Sequence, residues 1–269
     1  MSQRTDKGLA KQGGFTLLEL MLVVAILSLI IAAVFSQLGA AQQRLATEEI
    51  RLDDFQQARD FVDQFFRDIN QIGTPNMQIL DTTQTFSPAL TTQTSYTYAN
   101  SYINDNRMAM GLVKIAPDQI WFEGSMNGNG TVQQVIYKVN GSGTCSLCLQ
   151  RSQFDKATAD PLLTMSNSSN QNWGTEVNDI VTNNAVSLFR FFKYDGTEVV
   201  PASSGIDYTS SQANAKTLAD VKTIQINLTI RNNNVTDKKT GLPIETSFEG
   251  EVSLNNCSMA ATGMNMSCQ

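Results

Sequence analysis

Gly13 to Phe35 reads GGFTLLELMLVVAILSLIIAAVF. After the glycine pair, residues 15–35 form an apolar run whose single charge is Glu19. A carboxylate inside hydrocarbon costs about 2.5–3.5 kcal/mol on insertion scales, so it calls for a partner. A cut after Gly14 would create one, because the new amine of Phe15 would carry a positive charge. A neighbouring chain displaced along the helix axis would bring that amine against Glu19. The run is also long enough to span a bilayer, which takes about 20 residues at about 1.5 Å each.

Outward from this run, the leader at residues 1–14 carries Arg4, Lys7 and Lys11 against Asp6. The positive-inside rule keeps it cytoplasmic and exports the C-terminal side, with Arg44 and Arg51 giving a modest counter-bias. Three modes of processing compete. A secretory signal would be cut after the run, where Gly39, Ala40 and Ala41 supply small residues. Such a signal is usually shorter and would not contain Glu19. An uncleaved anchor is the second mode, and cleavage at Gly14 the third. A lipoprotein is disfavoured because the first cysteine is Cys145.

The residues Gly14-Phe15-Thr16-Leu17-Leu18-Glu19 resemble the class III signal of type IV prepilins and pseudopilins. The pattern is a glycine at the cut, phenylalanine next, glutamate fifth, then the apolar run. The resemblance implies that prepilin peptidase cuts between Gly14 and Phe15 and that the amine of Phe15 is then N-methylated. It implies Glu19 as the residue that sets subunit register during assembly. The implied partners are other minor and major pilins or pseudopilins, an inner-membrane assembly platform and membrane lipid.

Beyond the run, Leu38, Ala41, Leu45, Leu52, Phe55, Val62, Phe66 and Ile69 follow a three-four spacing, with Glu48 and Arg59 at the two missing seam positions. This predicts one helix to about Ile72, ended by Gly73, Thr74 and Pro75. Its C-terminal half is expected to lie on its own domain, since Phe61, Phe65, Ile69 and Ile72 widen the apolar face beyond a coiled-coil seam. Gly39 is a candidate flexible point.

Residues 74–106 are rich in Thr, Gln, Ser and Asn and read as a long surface excursion with one short strand at 96–98. Strands are expected at 119–122, 132–139, 146–151, 186–194 and 224–230, with an antiparallel partner for the last across Phe248, Val252 and Leu254. Asn140-Gly141-Ser142-Gly143 and Asp195-Gly196 are turns, and 232–241 is a loop. A long helix followed by an antiparallel sheet predicts an α+β fold with the sheet packed on the helix. The pilin fold implied by the N-terminal resemblance has the same layout. The domain reading is a cleaved leader at 1–14, a transmembrane helix at 15–36, an amphipathic helix at 37–72 and a β-rich head at 73–269. Phe65-Phe66-Arg67-Asp68-Ile69-Asn70-Gln71, with the segments 186–195 and 221–231, resembles W-type minor pilins and J-type minor pseudopilins of type II secretion.

The composition restricts the chemistry. None of the 269 residues is histidine, which removes the commonest general base and transition-metal ligand. The net charge is −6, and it becomes −8 without a leader whose cations outweigh Asp6 by two. An acidic head without a basic run argues against nucleic acid as a partner. No phosphate loop or dinucleotide fingerprint is present, so no cofactor is expected.

Cys145, Cys148, Cys257 and Cys268 are disulfide candidates in an exported domain. Sequence-local pairing is favoured among the three possible connectivities. Cys145 and Cys148 follow a glycine turn into a strand, unlike a redox pair at a helix N-terminus. The spacing of Cys257 and Cys268 does not fit a zinc ribbon. Asn104-Asp105-Asn106 and Asn127-Gly128-Asn129-Gly130 do not match a calcium loop and read as solvated turns. Trp121, Phe122, Phe189, Phe191 and Phe192 are read as core.

The functional expectation is a non-enzymatic minor subunit of a type IV pilus or type II secretion pseudopilus. It is anchored in the inner membrane with its C-terminal domain outside the cytoplasm. The alternative is a membrane-anchored binding module, an adhesin or DNA-uptake receptor, using the excursion at 74–106.

Overall fold

The computed structural model describes residues 16–75, 106–107, 109–141, 147–182, 187–209, 212–236 and 241–254. The chain divides into two compact units, Met1–Ile50 and Arg51–Gln269. One helix, α1 (Leu17–Asn70), supplies elements of both. It passes through Gly39 without a break.

From Leu17 to Phe35, in the first unit, the helix is apolar on every side apart from Glu19 and Ser28. Leu17 is 77% exposed, Leu29 73% and Phe35 66%. It is the one helix among the described residues long and apolar enough to cross a membrane. A surface of this kind needs lipid or other helices to cover it.

In the second unit α1 turns one face into the core. Ala58, Phe61, Val62, Phe65, Asp68 and Ile69 are buried at the spacing of a single helix face. This is the half of the stripe expected to lie on its own domain, and Phe61, Phe65, Ile69 and Ile72 are all buried. Leu52 is 67% exposed and Phe55 45%, so the packed face begins at Ala58 and centres on Phe61 and Phe65. Gly73 ends the helical stretch at φ +73°, and its N–H donates to Glu123 O at 2.9 Å. That bond and the bridge between Ile72 and Gly124 tie the helix end to a strand.

Two antiparallel sheets follow. The first comprises β1 (Leu112–Ala116), β2 (Gln119–Gly124), β3 (Gln133–Asn140), β4 (Cys148–Asp155), β5 (Trp173–Val177) and β8 (Ile206–Asp207), in the order β5-β4-β3-β2-β1-β8. The second comprises β6 (Phe189–Lys193), β7 (Glu198–Val199), β9 (Val221–Thr236) and β10 (Pro243–Ser253), in the order β10-β9-β6-β7. Two short helices complete the fold, α2 (Pro161–Ser166) and α3 (Gln212–Asp220).

Phe65 joins the three layers. Its ring stacks on Phe189 of the second sheet at 5.6 Å and meets Tyr137 of the first edge-on at 5.3 Å. Such pairs add about 0.5–1.5 kcal/mol each beyond area burial. The other face of the first sheet is covered too: α2 packs on β1 and β3, and α3 on β1 and β8. Ile120, Trp121, Phe122 and Glu123 are therefore all buried.

The α+β layout is as expected, with a pilin-like architecture. The predicted antiparallel pair forms, with Leu228 opposite Phe248 and Ile224 opposite Val252, while Leu254 falls just beyond β10 and donates its N–H to Lys222 O at 2.8 Å. Asp195-Gly196 turns β6 into β7, with Gly196 at φ +81°. Other expectations need correction. Asn232 and the residues to Thr236 extend β9 instead of starting a loop, because the β10 ladder carries them across a register shift at Pro243. The return strand begins at Cys148 and runs to Asp155, since its ladder with β3 spans all eight positions. The strands β1, β5 and β8 and both short helices were not predicted. Most of the excursion at 74–106, with its strand at 96–98, lies outside the described residues.

Candidate functional site

Of the sequence-predicted assembly residues, Gly14 and Phe15 lie outside the described residues, and Glu19 lies in the first turn of α1. Its backbone N–H donates to Thr16 Oγ1 at 3.3 Å and to Thr16 O at 3.1 Å, and Leu20 N–H donates to Thr16 O at 3.2 Å. Thr16 therefore serves as the N-cap, with Glu19 at the third helical position. The signal was present in the sequence as Thr-x-x-Glu ahead of an apolar run. The position has an electrostatic consequence. A carboxylate in the first helical turn faces the positive end of the helix dipole, a contribution of about 0.3–1 kcal/mol. That offsets part of the cost of a charge in the apolar segment. The Glu19 side chain is exposed, with its carboxylate open to a group from outside the chain.

In the head, a buried polar triad fixes α1 to the first sheet. Tyr137 donates to Asp68 Oδ2 at 2.7 Å, and Arg151 donates to the same oxygen at 2.8 Å and to the Tyr137 hydroxyl at 3.0 Å. Tyr137 and Arg151 are cross-strand partners in β3 and β4, so their side chains share the face turned to α1. Burial, followed by the neighbouring Asp68 charge, pushes the Tyr137 hydroxyl well above its usual range. Burial works against the Arg151 charge, but Tyr137 and Asp68 outweigh it and the guanidinium titrates higher than usual. Burial also raises the Glu176 carboxyl; Arg151 opposes the rise and Asp68 adds to it. A cleft of about 690 Å³ runs between helix residues such as Asp53, Gln56, Asp60 and Gln64 and the sheet residues Arg151 and Glu176. Apart from Phe61 its lining is carboxylate, amide and guanidinium. No histidine exists to pair with a nucleophile. Tyr137 and Arg151 lie 69 and 83 residues from Asp68 along the chain, so no local sequence pattern joins the three.

Cys148 opens β4, is fully buried and is disulfide-bonded. Cys145, Cys257 and Cys268 lie outside the described residues. A buried sulfur at the start of a strand lacks the exposure and positive surroundings of a reactive thiol. Beside it Leu147 adopts φ +57°, and its carbonyl accepts Ile180 N–H at 2.8 Å. Residues 127–130 form an exposed turn in which Asn129 Oδ1 accepts Thr131 N–H at 2.9 Å. Among the described residues no group of three or more His, Cys, Asp or Glu side chains is placed to hold a metal ion. Trp121, Phe122, Phe189 and Phe191 are core residues, 0–9% exposed, whereas Phe192, expected with them, is only half-buried and has the Arg190 guanidinium over its ring.

Residues 9–35 match the family described as the prokaryotic N-terminal methylation motif. No curated protein and no solved structure matches the chain. The motif implies processing by prepilin peptidase and assembly with pilins, and with the apolar helix it supports membrane anchoring of a C-terminal domain. It points to a structural protein, not an enzyme. This chain carries the N-terminal methylation signal typical of type IV pilins and pseudopilins, on a long helix joined to an antiparallel β-domain.

Proposed function

We propose that this chain is a minor subunit of a type IV filament, a pilus or a type II secretion pseudopilus. The observation that carries the reading is the methylation motif, whose helical part is apolar on every side from Leu17 to Phe35 except for Glu19, the acidic residue of its first turn. On this reading residues 1–14 are the leader, 15–36 the transmembrane helix, 37–72 its amphipathic continuation and 73–269 the head. Prepilin peptidase cuts between Gly14 and Phe15, and the Phe15 amine is N-methylated. Glu19 on one subunit then pairs with the Phe15 amine of the next, which fixes axial register as the helices bundle. Away from water such a pair offsets the burial of both charges, and removing either partner is strongly destabilising. The head lies outside the cytoplasm, where a disulfide at Cys148 persists.

Intact mass and N-terminal sequencing of the protein from its native membranes test this reading. It requires a start at N-methylated Phe15. An intact leader, or a start near Gln42, would leave Glu19 without its proposed partner and overturn the mechanism. Glu19→Ala is expected to insert normally and to enter filaments poorly; normal incorporation would defeat the register argument.

A further inference from the structure

The face of the first sheet turned away from α1 holds a second polar cluster. Glu123 pairs with Gln134 across β2 and β3, and Gln134 pairs with Phe154 of β4. Lys156, two residues beyond Phe154, continues the ladder by donating its backbone N–H to Val132 O at 3.0 Å. The period of two places Glu123, Gln134 and Lys156 on one face. Their side chains meet there. Lys156 Nζ lies 2.7 Å from Glu123 Oε2, and Gln134 Nε2 donates to Glu123 Oε1 at 2.8 Å. Met110 N–H also donates to Glu123 Oε2, at 3.0 Å. Thr164 of α2 places its hydroxyl 2.8 Å from Gln134 Oε1. The side chains of Glu123 and Lys156 are 0% exposed, as is Gln134.

This is a primary amine and a carboxamide held on the two oxygens of one carboxylate, with a hydroxyl on the carboxamide oxygen and water excluded. Each component matches a step of transamidation. We propose that Lys156 and Gln134 condense to an intramolecular isopeptide bond, with Glu123 carrying the protons. Lys156 passes a proton to Glu123 Oε2, which frees the Nζ lone pair. Nζ attacks Gln134 Cδ, and the carbonyl electron pair moves onto Oε1 beside the Thr164 hydroxyl. The Glu123 carboxyl then gives this same proton to Gln134 Nε2, which is hydrogen-bonded to it. The electron pair returns, the Cδ–Nε2 bond breaks and ammonia leaves. Nζ gives its second surplus proton to Glu123, which ends neutral.

The atoms and charge balance with no oxidant or co-reactant: ammonium, carboxylate and carboxamide become an amide, a carboxylic acid and ammonia. Two features favour the reaction. Holding the groups together replaces an encounter between separate molecules. The product also removes an ion pair from the interior, where two charges are costly to keep. The bond would close the open end of the β3–β4 hairpin, whose turn end holds the disulfide-bonded Cys148 opposite Asn140.

Mass spectrometry of the full-length chain, reduced and denatured, decides the matter. The expected result is a loss of one ammonia, a branched peptide joining the segments that contain Gln134 and Lys156, and no tryptic cleavage after Lys156. Lys156→Arg keeps a cation beside Glu123 but not a nucleophilic amine, and it is expected to show no such loss. Full mass with separate linear peptides in the unsubstituted chain would overturn the proposal. So would a Lys156–Glu123 link with loss of water, or an equal ammonia loss in Lys156→Arg, which would place the reaction elsewhere.

Discussion

Tyr137 reaches across 69 residues of sequence to donate its hydroxyl to Asp68 Oδ2 at 2.7 Å. Arg151 closes the arrangement on the same oxygen, with a side chain only 14% exposed. The helix and the first sheet are thus joined by a charged contact as well as by apolar packing. Asp68→Ala strands a guanidinium and a phenol together, and the expected loss of unfolding free energy is about 3–5 kcal/mol. Tyr137→Phe removes a single bond to a charged group and should cost about 1.5–3 kcal/mol. Urea unfolding of the two variants checks the order; an Asp68→Ala loss no greater than that of Tyr137→Phe would contradict it.

Phe65 contacts both sheets, so truncating it should loosen them together. Phe65→Ala is expected to cost about 3–5 kcal/mol. Phe55→Ala, also a helix phenylalanine but 45% exposed, should cost much less. Thermal unfolding that ranked Phe55→Ala as the more damaging change would show that the packed face is misplaced.

Two glycines sit where α1 and its end approach the sheets, and they differ in what surrounds them. A Cβ at Gly124 would overlap the backbone oxygen of Gln71, so the chain after α1 would have to move. A Cβ at Gly250 would lie 2.6 Å from the tip of the Phe66 ring, a side chain that is only partly buried and is able to turn aside. Gly124→Ala is therefore expected to cost about 1–3 kcal/mol, and Gly250→Ala less. Denaturation midpoints of the two variants check the order.

Asp54 supplies a pH dependence. Burial raises its carboxyl; a hydrogen bond with Asn232 opposes the rise, and the charges of Asp179 and Asp53 add to it. Its Oδ2 is buried without a hydrogen-bond partner. Because the folded-state pKa lies above the unfolded value, the native state holds this proton more tightly. The contribution is complete below the unfolded pKa and is lost as pH rises through the folded one. Asp54→Asn, which cannot ionise, should therefore raise the melting temperature at about pH 7 and confer little at about pH 3, below the usual aspartate range. A gain of equal size at both pH values would assign the effect to something other than charge.

Legibility followed the range of the interactions. The turn at Asp195-Gly196 and the antiparallel pairing of 224–230 with 248–254 rest on local chemistry and strict alternation, and both could be read. The Thr16 cap of Glu19 was equally local, as Thr-x-x-Glu, yet the carboxylate drew the reading toward an external partner. The stripe on α1 gave the helix, and its widening at Phe61, Phe65, Ile69 and Ile72 gave the half that packs, but not the residue at which packing starts. Spacing shows that a face is apolar and leaves open where a sheet begins to cover it. The strands β1, β5 and β8 escaped notice for a related reason: each is short, and its partners supply the pairing.

By itself the sequence determined the N-terminal methylation signal, the apolar helix and the α+β class. Each depends on residues close together in the chain, where periodicity and residue type decide the outcome. Only the tertiary structure decided that the β-domain is two sheets, that Phe65 touches both, and that Asp68 meets Tyr137 and Arg151 on one face while Glu123, Gln134 and Lys156 meet on the other. Those groupings depend on strand register, and register follows from which buried surfaces fit together. A one-residue slip of a strand would send that strand's contribution to either grouping to the opposite face.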